Sequence, residues 1–129
     1  MSNLNEWLLS GNSFGGNRER FESRRHVANL LRVSNRKVNV FRWGVNETDA
    51  HINRKFEICK VLKKIGHHFY TEAIFKSGLR ADVIDADECV AYEVYSTESS
   101  DSLKKKRKNY PIEVRFIDAN EEFYEDMIF

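Results

Sequence analysis

Residues 68–97 read HFYTEAIFKSGLRADVIDADECVAYEVYST, and this stretch decides the fold. Three runs within it, HFYTEAIF (68–75), RADVID (80–85) and VAYEVYST (90–97), are rich in the β-branched and aromatic residues that fit a pleated, half-buried surface. The connections KSGL and ADEC have hairpin length, so the three strands form an antiparallel meander. Downstream, 99–110 carries Leu103 and Tyr110 around the run KKKRK and is stopped by Pro111, the chain's one proline. It reads as a short basic helix, and IEVRFI (112–117) alternates like a further strand. A helix between two strands favours a right-handed crossover, which brings 112–117 back parallel to the third meander strand.

Upstream of the meander, 46–66 reads as the clearest helix. Asn46 is its expected cap, Glu47 and Asp49 suit the first turn, Lys60, Lys63 and Lys64 suit the last turns, and Gly66 ends it. Ile52, Phe56, Cys59 and Leu62 form one stripe, and His51, Lys55, Ile58 and Leu62 form the next. His51 and Lys55 thus face the same way as apolar residues, an arrangement that needs a reason. Residues 18–33 predict a basic amphipathic helix, with Phe21, Val27, Leu30 and Leu31 among Arg18, Arg20, Arg24, Arg25 and Arg32. Before it, SGNSFGGN (10–17) reads as a flexible turn following NLNEWLL. Residues 37–43 alternate like a short strand or extended arm. The expected class is therefore α/β: an αβββαβ core at 46–118 with a mixed sheet flanked by helices, an N-terminal extension at 1–45 carrying the basic helix, and an acidic tail at 119–129.

The 129 residues suffice for one ordinary domain. Their 41% apolar and 32% charged content, with 9 Phe, 5 Tyr and 2 Trp, excludes disorder throughout. No window approaches 18 consecutive apolar residues, and residues 1–10 carry Glu6 without a basic start. A membrane span and a secretory signal are both disfavoured, and the expected location is the cytoplasm, or the host cytoplasm for a viral protein. Cys59 and Cys89 have neither disulfide-scaffold nor zinc spacing and read as small buried hydrophobes. His67 and His68, being adjacent, point to opposite faces and do not share a metal. The net charge of +1 hides a polarity: residues 1–67 hold 13 Lys and Arg against 6 Asp and Glu, and residues 68–129 hold 8 against 14. Such asymmetry points to a polyanion contact on one side and an acidic or metal site on the other.

Each meander strand carries a carboxylate in an apolar setting: Glu72 in TEAIF, Asp82 in RADVID and Glu93 in AYEVY. Acids inside strands are disfavoured and need partners. In-register pairing brings the three onto one patch, where their repulsion calls for a cation, and an oxygen-rich cluster of that kind suits Mg²⁺ or Mn²⁺. The plainer reading pairs them across strands with Arg80, Lys55, Arg115 or Lys76.

At these residues the sequence resembles the PD-(D/E)xK nuclease superfamily, and within it the CoiA-like nuclease domain and related archaeal and viral proteins. The likeness covers 47–117: a helix with Glu, His and Lys, like Glu47, His51 and Lys55 in ETDAHINRK, then a strand with Glu72, an RADV segment at 80–83, and a third motif from Glu93 to Tyr95. The resemblance implies a restriction-endonuclease-like αβββαβ core and a Mg²⁺- or Mn²⁺-dependent endonuclease. It implies Asp82, Glu93, the Val94 carbonyl and Glu72 as metal ligands, and Asp82, Glu93, Lys55, Glu72 and His51 as the catalytic set. Where the superfamily's third motif ends in Lys, this chain has Tyr95, and Lys55 is the natural substitute, an inward ammonium expected to serve cleavage rather than folding. The resemblance further implies a homodimer.

For the phosphate backbone, the sequence offers Arg24 and Arg25 on the first basic helix and Lys104, Lys105, Lys106 and Arg107 on the second. DNA is the expected partner ahead of RNA, and no membrane partner is expected. The alternative from another class is a degenerate nuclease-fold module that binds nucleic acid or a protein without cutting, favoured by Tyr95 and opposed by the retained carboxylates. An acidic mimic of nucleic acid fits poorly with the basic N-terminal half. The tail EEFYEDMIF resembles partner-recruiting acidic tips, with packing against the domain as the plainer expectation.

Overall fold

The computed structural model describes residues 12–128, with side chains from Arg18 onward. In chain order these form α1 (Asn12–Leu30), a 3-10 turn at Val33–Asn35, α2 (Asp49–Lys64), β1 (Phe69–Ile74), β2 (Arg80–Asp85), β3 (Val90–Tyr95), α3 (Ser100–Asn109), β4 (Glu113–Asp118) and a 3-10 turn at Glu125–Met127. The strands make one mixed sheet in the order β1-β2-β3-β4. β1, β2 and β3 are the expected antiparallel meander, and β4 returns parallel to β3. The α/β class and the order of elements are those expected for 46–118.

Alternation in β3 divides the core in two. Ala91 packs with Val27 of α1 and with Leu31 just beyond it, whereas Val90, Tyr92 and Val94 pack with Ile58, Cys59, Val61 and Leu62 of α2. Helices therefore cover both faces of the sheet, and each fully buried Val, Leu or Ile contributes about 1.5–3 kcal/mol over an exposed one. α1 belongs to this core, since Val27, like Leu31 immediately after the helix, is fully buried. Burial pushes the Cys59 thiol up to about 12, and both cysteines are free.

α2 begins later than the sequence suggests. Thr48, not Asn46, caps it by accepting the His51 amide at 3.2 Å, and Glu47 stays outside the helix, bonded to the Gly44 amide at 2.7 Å. Gly66, with φ +77°, ends it as expected, and His67 N reaches back to the Leu62 carbonyl.

Three expectations are corrected. The turn foreseen at 10–17 is helical from Asn12 onward, because a helix nucleated downstream propagates through Gly15 and Gly16 at about 1 kcal/mol each; residues 10 and 11 and the segment NLNEWLL lie outside the described residues. α1 ends at Leu30, since Leu31 leaves the helix to bridge Phe75. Residues 37–43 form no strand. They turn at Asn39 (φ +61°) and run as an irregular arm along the outer edge of β1, held by one backbone bond, from the Asn39 amide to the Phe69 carbonyl, and otherwise by side chains. Thr71 Oγ1 donates to the Val40 carbonyl and accepts the Arg42 amide, while Asn39 and Asn35 side chains accept the amides of Phe69 and Ile74. The arm thereby covers an edge that would otherwise invite pairing.

The acidic tail packs. Ile128 is buried against the α2 face, its carbonyl accepts the Tyr92 hydroxyl at 2.8 Å, and Glu125 pairs with Lys64. Phe129 lies outside the described residues. Among the described residues, no helix is long and apolar enough to cross a membrane.

Candidate active site

A regular strand sends residues 70, 72 and 74 to one face and 69, 71 and 73 to the other. In β1, Tyr70 and Ala73 both pack on the α1 side while Phe69 packs on the α2 side, so the alternation slips by one between Tyr70 and Ala73. The slip falls at Glu72, whose φ of +50° is rare for any residue but glycine and costs on the order of 1–3 kcal/mol. On β2, Ala81 and Ile84 face α1 while Val83 faces α2, so the same slip occurs at Asp82. The flanking pairs Thr71↔Val83 and Ala73↔Ala81 set Asp82 across from Glu72. Both carboxylates consequently reach the α2 side, Glu72 to Lys55 and Asp82 to His51.

The β2–β3 ladder stops at Val83↔Tyr92. Beyond it the strands separate, and carboxylates take the amides that the ladder leaves free. Asp82 N donates to Glu93 Oε2 at 2.7 Å, and Val94 N donates to Asp82 Oδ2 at 2.8 Å.

Lys55 has no exposed surface, yet its ammonium donates to the Arg42 carbonyl at 2.9 Å, Glu47 Oε1 at 3.0 Å and Glu72 Oε2 at 3.1 Å. The inward ammonium is thus paired with two carboxylates, a placement the sequence could not show because Glu47 leaves the helix to meet it. His51 Nδ1 lies 2.5 Å from Glu47 Oε2, and its Nε2 lies 3.1 Å from the Val94 carbonyl and 3.3 Å from Asp82 Oδ2. The result is one continuous chain from Glu72 through Lys55, Glu47, His51 and Asp82 to Glu93. A pocket of about 300 Å³ opens on its far end, lined by His51, Asp82, Glu93, Val94, Lys106 and Tyr110.

Proton counting gives the charge state. Both ring nitrogens of His51 face oxygens, so both carry protons; the bond to Asp82 outweighs burial and raises the pKa to about 9. Glu93 is only 4% exposed, and burial followed by the nearby Asp82 pushes its carboxyl up to about 7. The Tyr110 hydroxyl, with one proton, lies 2.6 Å from the Arg80 carbonyl and 2.8 Å from Glu93 Oε1. With a single proton the hydroxyl donates to one of them at a time, so Glu93 shares its tyrosine donor with the Arg80 carbonyl. Burial, aided by Asp82 and Glu47, raises Glu72 despite Lys55. For Glu47 the upward push of burial is outweighed by the Gly44 amide, Lys55 and His51, and its pKa is lowered.

All five expected catalytic residues, Asp82, Glu93, Lys55, Glu72 and His51, belong to this chain of contacts. The expected metal ligands divide. Asp82 Oδ2 and the Val94 carbonyl converge on one point, now faced by the His51 N–H, but Glu93 turns to the Asp82 amide and Tyr110, and Glu72 is held by Lys55 and Arg80. Accordingly, among the described residues no three His, Cys, Asp or Glu side chains are grouped to hold a metal ion. The donors nevertheless fit Mg²⁺ or Mn²⁺ in kind, since a carboxylate, a carbonyl and space for water are what those ions take. Of the plainer cross-strand pairs, Glu72 with Lys55 and Arg80 is present; Arg115 pairs instead with Glu113.

The basic residues also divide. Arg24 is not free for phosphate: its guanidinium makes two bonds to Asp87, at the far end of β2. Arg25 is exposed and lies over the Phe21 ring. Lys104 and Lys105 are exposed, Arg107 lies over the Phe116 ring, and Lys106 turns to the pocket, bonded to Glu98 and 3.7 Å from Glu93.

No protein-family model, curated protein or solved structure matches the chain. Sequence reasoning missed Tyr110 and the hub position of Glu47. A buried tyrosine whose hydroxyl needs a partner was the available sign of the first, and nothing in the pattern marked the second.

Proposed function

We propose that the chain is a metal-dependent endonuclease that hydrolyses phosphodiesters in DNA, on a PD-(D/E)xK-like core. The observation that carries this is the gathering of Asp82, the Val94 carbonyl and Glu93 where β2 and β3 separate, beside a fully buried lysine. In this reading Asp82 and the Val94 carbonyl would hold Mg²⁺ or Mn²⁺, with Glu93 as a further donor once released from the Asp82 amide and Tyr110, and the ion would supply charge stabilisation and an activated water. Lys55 keeps Glu72 and Glu47 in place and adds a fixed positive charge behind the carboxylates, and Lys106 offers a cation at the pocket wall. Tyr95, in the place of the superfamily lysine, packs edge-on against Phe116 and makes no bond to the cluster, which leaves the cationic role to α2. Dimerisation would present two such sites to two strands.

One observation favours a second reading, a nuclease-fold module that binds nucleic acid without cutting. The His51 and Lys55 cations already pair with Glu47, Asp82 and Glu72 without any ion. Calorimetric titration with Mn²⁺ of wild type and Asp82→Asn, beside cleavage of supercoiled, linear, branched and single-stranded DNA and of RNA, separates the two. The nuclease reading expects Mn²⁺ binding that Asp82→Asn abolishes, and Mn²⁺-dependent cuts. Identical heats from both proteins with an uncut panel would sink it in favour of the module.

A further inference from the structure

We propose that Trp43 is a base-stacking platform at the rim of this site, and that the bound substrate therefore presents an unpaired nucleotide there. The proposal rests on the phosphodiester reading and narrows it to nucleic acid with a single-stranded segment.

The arm at 40–45 is clamped by the site itself. Lys55 donates to the carbonyl of Arg42, Glu47 accepts the amide of Gly44, and Thr71 accepts the amide of Arg42. Trp43 lies between these anchors, its Cα about 3.8 Å along the chain from the Cα of each anchored neighbour. The backbone carrying the ring is fixed by the same two groups, Lys55 and Glu47, that organise the carboxylates.

The two aromatics of FRW (41–43) meet different fates. Phe41 turns inward, edge-on to Phe56 at 5.3 Å, with the Lys55 ammonium 5.7 Å from its ring. Trp43 turns outward and stays 59% exposed, with Val45 beyond it at 92%. Keeping a large aromatic largely in water on an anchored arm forgoes burial that Phe41 obtains two residues earlier, and a stacked nucleobase would supply it. Stacking needs a fixed ring with an open face, and bases supply π faces whatever their identity.

The surroundings select nucleic acid over a protein partner. The exposed apolar side chains of the arm are Trp43, Val45 and Val40, with the half-exposed Phe56 beside Phe41, still far short of the roughly 20 residues, about 800 Å² per partner, of a stable protein interface. Arg42 precedes Trp43 in the chain, and Arg80, exposed on β2, lies 3.7 Å from the same Glu72 that Lys55 holds. Cations beside an aromatic plate suit a strand whose phosphates pass the arginines while a base covers the ring. In a duplex the base faces are already stacked, so only an unpaired nucleotide fits.

Trp7 and Trp43 are the two tryptophans, so Trp7→Phe leaves Trp43 as the sole indole reporter. In chelator, which prevents cutting, this protein is titrated with oligothymidylate and with a blunt duplex at equal phosphate concentration. Single strand is expected to quench Trp43 emission and duplex to leave it unchanged. By anisotropy of labelled oligothymidylate, Trp43→Leu should weaken binding about 5- to 150-fold, the scale of one lost base stack. Trp43→Phe should retain most of the affinity, and duplex affinity and melting temperature should hold in both variants, since the side chain is exposed. Equal quenching by duplex, or wild-type affinity in Trp43→Leu, would overturn the platform. Cleavage with Mn²⁺ tells its failure from that of the nuclease reading. Quenching by single strand without cutting removes catalysis and leaves the platform; cutting without quenching does the reverse; binding to neither strand form removes both.

Discussion

Two charged clusters occupy the two ends of β2, and they treat buried carboxylates in opposite ways. At the turn after the strand, Asp87 has no exposed side-chain surface and accepts four hydrogen bonds, from Arg20 Nε, from two nitrogens of Arg24 and from the His68 amide, at 2.6 to 2.9 Å. Burial alone would raise its pKa, but those donors outweigh burial and hold it low. Asp85 beside it accepts from His67 and from the amides of Asp87 and Glu88. At the other end, Glu93 is as deeply buried but receives the Asp82 amide and a tyrosine already committed to a carbonyl, with its nearest cation 3.7 Å away. Its pKa rises to about 7. The residue types are alike and the donor supply is not. A carboxylate with enough fixed donors ties α1 to the sheet, and one with too few keeps charge-binding capacity in reserve for a ligand.

The largest test of this contrast is Lys55→Met. Removing the ammonium leaves Glu47 and Glu72 largely buried with no cation between them, at a cost of about 3–5 kcal/mol. Thermal unfolding in chelator should show a fall on the order of 10 °C, and adding Glu72→Gln should restore part of it. An unchanged midpoint would mean that the cluster contributes nothing to folding.

Asp87→Asn comes next. The amide keeps some bonds, and Arg20 and Arg24, each about a third exposed, regain water, so the expected loss is about 2 kcal/mol. Faster hydrogen exchange should concentrate in α1. Uniform exchange across the sheet would show that Asp87 is not what ties the helix down.

The third test is pH. A carboxyl raised from 4.5 to about 7 on folding stabilises fully below pH 4.5 and loses that contribution as the pH rises through 7. His51, raised from 6.5 to about 9, has the same sign over the next window, its contribution present below pH 6.5 and lost through 9. Asp87, lowered from 3.8, contributes above that value and loses its share only as the pH falls below it. In chelator, metal-free Glu93→Gln should match wild type near pH 4.5 and exceed it by about 2 kcal/mol at pH 8. Equal urea midpoints for the two proteins at pH 8 would contradict the raised pKa.

Much of this was legible in the sequence, for identifiable reasons. The meander and the parallel return of β4 follow from periodicity and the crossover rule, as does the inward stripe of Lys55, Ile58 and Leu62, whereas Phe56 of the neighbouring stripe is 48% exposed. The phase slip at Glu72 and Asp82 was not legible. Glycine would have announced a positive φ, whereas glutamate there is silent, and strict alternation would send Glu72 and Asp82 to the wrong face. Lys55 was a foreseen partner for Glu72, but its second partner, Glu47, was hidden for a related reason. Glu47 looked like a first-turn acid, and only the Thr48 cap sets it outside the helix. Arg24 and Arg25 are adjacent and alike in composition, yet one is spent on Asp87 and the other points to solvent.

That last pair frames the smallest expected effect. Arg24→Glu sets a like charge against a buried carboxylate and should behave as a folding mutation, with lost stability at any salt concentration. Lys104→Glu with Lys105→Glu alters two exposed side chains on α3, whose bases face solvent beyond the pocket wall formed by Lys106. Unfolding free energy should then stay within about 0.5 kcal/mol of wild type. If α3 lies along the phosphate backbone, the slope of log affinity against log salt for duplex DNA should shrink by about 0.9 for each contact removed. Arg25→Glu, on α1 near the Asp87 end, should leave that slope intact. A slope unchanged by the lysine reversals but reduced by Arg25→Glu would move the nucleic-acid surface to α1 and away from the carboxylates.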